Sequence, residues 1–176
     1  MIRRDLPDVL LAERSSFEFP WTEDDFLRCL RQRNCIGMVA EMDDPPGFPP
    51  PAHPWAHSGS RAVGFMIYEL HKTRLHILNF AVHPHARGTG IGGQMVGKLV
   101  HKLTTHRRLK ITLAVRERNL AAQTFFRRHD FRATRVLRNY YEDSGEDAFQ
   151  MEYRAGAEFA DEPVGPVNRI AQYEEN

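Results

Sequence analysis

One stretch, Val82-His-Pro-His-Ala-Arg87-Gly88-Thr89-Gly90-Ile91-Gly92-Gly93, restricts the fold of this chain more than any other. It leaves the apolar, strand-like run Leu75 to Val82 and enters a segment from Gly90 to Thr105. There Ile91, Met95, Val96, Leu99, Val100 and Leu103 recur at helical spacing. Amides at such a strand-to-helix corner point outward unpaired, and the helix dipole favours an anion beside them. Glycines let backbone approach a pyrophosphate, and Arg87 adds a cation. Three anion-binding patterns compete. A dinucleotide site wants G-x-G-x-x-G with an acid about 20 residues on, and neither the spacing nor the basic downstream segment fits. A phosphate loop needs Gly-Lys-Ser/Thr, which is absent. The turn R/Q-x-x-G-x-G/A remains, and Arg87 to Gly92 matches it at every specified position.

The flanking sequence reads as a single domain alternating strands and helices. Met1 to Arg4 is expected as a short edge strand. Asp5 caps a helix through Phe17, with Pro7 in its first turn and Asp8 at the third position. Thr22 caps a second helix carrying Phe26, Leu27 and Leu30, and Ile36 to Met42 reads as a strand. Residues 43–61 hold six prolines, two His and Ser-Gly-Ser, an inserted surface loop. Ala62 to Leu70 and Leu75 to Val82 form an expected hairpin. Lys110 to Val115, Arg132 to Leu137 and Ala148 to Tyr153 are further strands, and Asn119 caps a helix to Arg128.

Charge narrows the partners without choosing one. Thirteen Lys or Arg face two acids between Arg87 and Arg138, whereas ten acids face two Arg from Glu142 onward. The basic segment suits a phosphate-rich cofactor or an acidic protein, and its lack of interleaved aromatics argues against nucleic acid. No apolar run approaches the roughly 18 residues of a membrane span. Asp5, Pro7 and Asp8 interrupt any secretory signal. Cys29 and Cys35 read as small core residues of a reducing cytoplasm rather than a disulfide or zinc pair. The eight His residues other than His76 read as surface, without metal spacing.

Four further segments, in order, carry a resemblance. Phe17-x-x-Pro20-Trp21-Thr22-Glu23 resembles F-x-x-PWSE, and Leu78 to Pro84 resembles LNIAVDP. Val115-Arg116-x-x-Asn119-x-x-Ala122 through Phe131 resembles VRxSNxxAxxLYxxxGF, and Arg138 to Tyr141 matches RNYY. With the Arg87 turn these are similar to the GNAT acetyltransferases, and to their ribosomal-protein N-terminal alanine (RimI-like) branch, over Ile2 to Arg154. The resemblance implies an α/β domain over residues 1–154, with a mixed sheet of about six to seven strands splayed at an acetyl-CoA site and helices on both faces. Residues 155–176 follow as an acidic tail, expected to be disordered. The resemblance also implies a cofactor arm against the backbone of Phe80, Ala81 and Val82, and a pyrophosphate on Arg87, Gly88, Thr89, Gly90, Ile91, Gly92 and Gly93. Asn119 and Phe126 flank the arm. Acetyl-CoA is the donor, no metal is needed, and the acceptor is a protein or peptide N-terminus, such as a ribosomal protein's.

The proton-transfer groups of that branch are missing. Its base, the Glu of LEVR, falls on Ala114, and its acid, the Tyr of LY, falls on Phe126. General acid–base catalysis supplies roughly 10²–10⁴-fold, so substitutes are needed. Other GNAT branches place a base six residues before the strand's last Val, here His76. Alternation puts His76, Leu78, Phe80 and Val82 on one expected face. Tyr140 and Tyr141 are candidates for the acid or for clamping the acceptor, and Phe17 and Trp21 for lining its entrance. A weak base suits an α-amine, whose pKa of about 7.7–8.0 lies well below lysine's of about 10.4. The rival readings are a small-molecule amine acetyltransferase on the same fold and a degenerate acyl-CoA-binding module.

Overall fold

Apolar residues at helical spacing begin the chain, and strand alternation follows. The computed structural model describes residues 1, 3–43, 45, 47, 60–105 and 108–156. Helix α1 (Leu6–Arg14) buries Leu6, Val9 and Leu10. A 3₁₀ turn over Arg3–Asp5 stands where an edge strand is expected. That turn already gives Asp5 helical dihedrals, so its side chain makes no cap. Asp8 instead receives a forked bond from Arg61 (Nε at 3.0 Å, Nη2 at 2.5 Å) and the Ala62 N–H (3.1 Å), tying α1 to the sheet. The helix ends three residues before Phe17, because the Ser16 and Phe17 amides both turn back to the Glu13 carbonyl. Thr22 begins α2 (Glu23–Leu30) with a reciprocal capping box to Asp25.

Strand β1 (Cys35–Asp43) pairs antiparallel with β2 (Ser60–Leu70), and β2 with β3 (Arg74–Val82). The expected surface loop therefore yields Asp43, Ser60 and Arg61 to strands, while 48–59 lie outside the described residues. Helix α3 (Ile91–Thr105) leads to β4 (Lys110–Arg116), parallel to β3, and α4 (Leu120–Arg127) leads to β5 (Arg132–Tyr141) and β6 (Glu146–Arg154). Among the described residues the sheet is six-stranded, ordered β1-β2-β3-β4-β6-β5. β5 runs past Leu137 through an irregularity at which Asn139 takes φ 48°. The Asp147 carboxylate binds the Asn139 N–H (2.9 Å) and Arg138 there.

Each face of the sheet has its own core. Met66, Leu75, Ile77, Leu99, Leu103 and Phe131 pack under α3 and α4. Val9, Leu10, Phe26, Phe65 and Ile67 pack under α1 and α2. Cys29 and Cys35 sit in that second core as free thiols, 2.8 Å apart. Asp130, where the family pattern has Gly, adopts the left-handed conformation itself (φ 63°), and the Phe131 N–H still closes the helix end on Phe126 O (3.0 Å). The expected acidic tail enters the described residues only at Ala155 and Gly156.

Candidate active site

The site opens where β3 and β4 part. Their parallel ladder covers only Arg74–Ile77 against Lys110–Leu113, so from Leu78 and Ala114 onward the facing edges are unpaired with each other. β3 stays in place there because its other edge is paired to β2 as far as Val82.

A bulge decides which side chains face where. The β2–β3 register passes from Ile67–Asn79 to Tyr68–Ile77, leaving Leu78 extra. Leu75, Ile77, Phe80 and Val82 consequently all pack on the α3–α4 side. Leu78 and Ala81 pack on the α1–α2 side, and Asn79 bonds to α1. The expected common face of His76, Leu78, Phe80 and Val82 is therefore broken: His76 lies on the side opposite Phe80.

The Arg87–Gly93 corner combines two uses of glycine. Gly88 (φ 79°) and Gly90 (φ 87°) make the turn, and a Cβ on either would meet only open space. Gly92 and Gly93 instead accommodate α4, since a Cβ would lie 3.1 Å from the Phe125 ring and 2.9 Å from His129 Nε2. Among the described residues no backbone carbonyl accepts from the Gly88, Thr89, Gly90, Ile91, Gly92 or Gly93 amide, and the ladder resumes with Gln94 N–H to Gly90 O (3.0 Å). This is a cradle of free N–H groups suited to an anion. Arg87 is committed elsewhere, its Nε to Val82 O (2.9 Å) and its Nη2 to Ser16 Oγ (3.0 Å). Asn119 Oδ1 caps α4 through the Ala122 N–H (3.0 Å), which leaves its NH₂ to donate outward. Phe126 is buried among Phe80, Phe125 and Phe131 and has no proton to give.

On the other face, a pocket of about 150 Å³ is lined by Arg74, His76, Thr112, Leu113, Ala114, Leu137, Tyr140 and Gln150. His76 Nδ1 bonds Thr112 Oγ1 at 2.9 Å. Burial, then the Arg74 charge, hold the imidazole below its ordinary pKa, so it is neutral at pH 7. If Nδ1 carries the proton toward Thr112, Nε2 keeps its lone pair. The two tyrosines separate. Tyr140 is 45% exposed and lines the pocket. Tyr141 donates to Ala114 O (3.3 Å), lies under Arg116 at 3.8 Å, and is pushed by burial to about 12. Asp143 (2.5 Å) and Glu146 (3.4 Å) hold Arg116, which also covers Phe19 at 5.4 Å. Phe19, 44% exposed, joins this cluster through Arg116, and motif reading passed it over. Phe17 and Trp21 are half-buried against the α1–α2 core, Trp21 edge-on to Phe26 at 5.3 Å.

Behind Trp21 lies a carboxylate with no motif to announce it. Glu13 Oε1 accepts the Trp21 N–H (2.7 Å), and Asn79 Nδ2 reaches both Glu13 oxygens at 3.1 Å. Burial raises the Glu13 pKa, and those two partners pull it back down. His83 is likewise buried at 6%, against expectation, and burial pushes its pKa down. His85 and His101 are exposed and His71 and His129 are half-buried, while His53, His57 and His106 lie outside the described residues. A larger pocket of about 490 Å³, lined by Leu27, Leu30, Arg31 and Cys35, opens at the β1 edge and contains none of these groups. Among the described residues no helix is long and apolar enough to cross a membrane, and no three metal-binding side chains cluster.

Comparison with known proteins agrees with this geometry. The chain is 26% identical over 148 residues to the putative [ribosomal protein bS18]-alanine N-acetyltransferase of Bacillus subtilis, covering 84% of this chain and 87% of the relative. It is 31% identical over 150 residues to an uncharacterized N-acetyltransferase of Methanocaldococcus jannaschii, covering 84% and 85%. The crystal structure of Arabidopsis thaliana NAA60 in complex with acetyl-CoA shares the fold at TM-score 0.69 and 18% identity, over 88% of this chain and 96% of that one. The profile of the acetyltransferase (GNAT) family matches residues 6–131. Splayed strands, a glycine corner with free amides and that match together identify the chain as a member of the GNAT family, an N-acetyltransferase.

Proposed function

We propose that the enzyme transfers an acetyl group from acetyl-CoA to the N-terminal α-amine of a protein or peptide in the cytoplasm. The observation that carries this reading is the juxtaposition of the free-amide cradle and strand opening with the His76–Tyr140 pocket across the sheet. The amides of Gly88 to Gly93 would hold the pyrophosphate, and the free edge of Phe80 to Val82 would take the pantetheine arm. Because Arg87 already occupies Val82 O, and Ala81 faces β2 like His83, Phe80 is the residue whose backbone groups are better placed to bond that arm. The bound donor supplies a thioester carbonyl, whose C–S bond breaks as the new C–N bond forms. His76 Nε2 takes the amine proton, with Thr112 fixing the ring. The departing thiolate takes a proton from Tyr140 or from water. Tyr141 supports the pocket wall instead, its hydroxyl already bonded to Ala114 O.

An α-amine is the acceptor this face suits. With Ala114 in place of a carboxylate, His76 is the lining group able to take a proton at neutral pH. About a quarter of α-amines are neutral at pH 7.4, against about one lysine in a thousand. The similarity to the alanine N-acetyltransferase of B. subtilis supports the same reading. The test mixes the protein, acetyl-CoA and peptides beginning Ala, Ser, Met or Gly, and follows thiol release with mass confirmation. Acetylation of free but not blocked N-termini is expected. Transfer to polyamines or aminoglycosides alone would assign a small-amine acceptor. Saturable binding without thiol release on any acceptor would leave a binding module.

A further inference from the structure

Of the carboxylates among the described residues, Glu13 is the most buried, at 1% exposure. Burial of a carboxylate is costly unless its oxygens are fully bonded. Glu152, at 3%, meets that cost with Lys110 and Arg154. Glu13 has no ion pair among the described residues, and is held by the Trp21 N–H and the Asn79 amide alone. The two partners belong to opposite halves of the site. Trp21 closes the α1–α2 connection that carries Phe17 and Phe19. Asn79 sits at the β3 bulge, where the paired half of the strand gives way to the free edge. A second tie runs parallel, from Ser16 through Arg87 to Val82 O.

We propose that Glu13 is a positioning residue for acyl transfer: its carboxylate sets the spacing between the acceptor-side loop at Trp21 and the donor-side strand at Asn79. This rests on the proposed function and on the expectation, drawn from the sequence, that Phe17 and Trp21 line the acceptor's entrance. The two halves respond unequally to its loss. Strand β3 is held by its ladder to β2, whereas the loop's hydrogen bonds are the two amides returning to Glu13 O, the Ser16–Arg87 contact and the Glu13–Trp21 bond. Beside them stand the packing of Phe17 and Trp21 on the α1–α2 core and Arg116 over Phe19. Removing the carboxylate therefore loosens the acceptor loop and leaves the cofactor strand in place.

Glu13→Gln, Asn79→Asp, the double variant and Leu10→Ala separate this from a merely structural role. Leu10 is buried on the same helix and takes no part in the hydrogen bonds from Trp21 and Asn79. In Glu13→Gln the peptide KM rises about tenfold, while the acetyl-CoA Kd and kcat stay within about twofold. In the double variant the amide and the carboxylate exchange places, which removes the donor-against-donor contact that Glu13→Gln alone sets against the Asn79 amide, and KM returns to within about twofold of wild type. Leu10→Ala lowers Tm and leaves KM unchanged. Hydrogen exchange supplies a readout free of activity: Glu13→Gln speeds exchange across residues 15–22 and not across β3. Peptide KM unchanged in Glu13→Gln, with Tm lowered as in Leu10→Ala, overturns the proposal in an active enzyme. Should wild type acetylate no α-amine, the proposed function falls, and exchange decides this one. Unchanged protection of residues 15–22 overturns the clamp, and selective loss of it upholds the clamp.

Discussion

On the α3–α4 face the site is built from backbone: six amides at the Gly88–Gly93 corner and the free edge of β3. On the α1–α2 face it is built from side chains, His76 on Thr112, Tyr140 over the pocket and Arg116 between Phe19 and Tyr141. The glycine corner of the first face keeps the family's pattern at every specified position, whereas the departures fall on side chains, at Ala114 on the second face and at Phe126 on the first. The difference follows from what each must do. An anion cradle needs only unpaired amides, and a turn with two left-handed glycines generates them whatever surrounds it. Proton transfer needs a group of suitable pKa within reach, and several residues can supply one from different strands. A backbone site is therefore held to its sequence more tightly than a side-chain site.

Substitutions on the two faces should separate cleanly, and His76→Ala carries the largest expected effect. It should lower kcat/KM about 10²-fold with the acetyl-CoA Kd unchanged. Burial and Arg74 depress the His76 pKa, so the neutral base persists below the ordinary value of about 6.5. Wild-type kcat/KM should thus fall once below about pH 8, as the α-amine protonates, and again below about pH 6.5, as the imidazole protonates, and His76→Ala should abolish the second limb. Survival of that second limb in the variant would assign the base elsewhere, Glu69 and His71 being among the groups whose charge reaches the imidazole.

Gly90→Val attacks the opposite face. A β-branched residue at φ 87° strains the turn by roughly 1–2 kcal/mol or more, so the acetyl-CoA Kd should rise about tenfold by calorimetry. Retained affinity would mean that the cradle does not depend on that turn. Ala114→Glu in the His76→Ala background should recover about tenfold in turnover, because position 114 lines the same pocket. No recovery at any pH would show that the strand opening cannot use a base from that wall. Smallest is Asp130→Gly, which relieves a left-handed aspartate and should raise stability by about 1 kcal/mol, or about 2–4 °C in Tm, with kinetics unchanged.

The fold and the cradle were legible because their determinants are local. The helix cap at Thr22, the helical spacing from Ile91 and the strand-to-helix glycine turn each lie within a few residues, and all formed as read. The amino-acid sequence by itself thus determined the element order from Leu6 onward, the strand-to-helix glycine corner and the presence of Ala114 and Phe126 where the family pattern has Glu and Tyr.

Tertiary structure alone decided which groups meet. Simple alternation put His76 and Phe80 together, but the bulge at Leu78 arises from how β3 pairs with β2, and one extra residue turns the rest of the strand over. Arg87 looked like a free cation until Ser16, 71 residues away, and Val82 O took it. Glu13 and Asn79, 66 residues apart, share no motif and meet only once α1 docks on the bulged strand. Backbone conformation answers to neighbours in sequence, whereas side-chain partnership answers to neighbours in space, which the chain acquires only when the sheet and its covering helices pack.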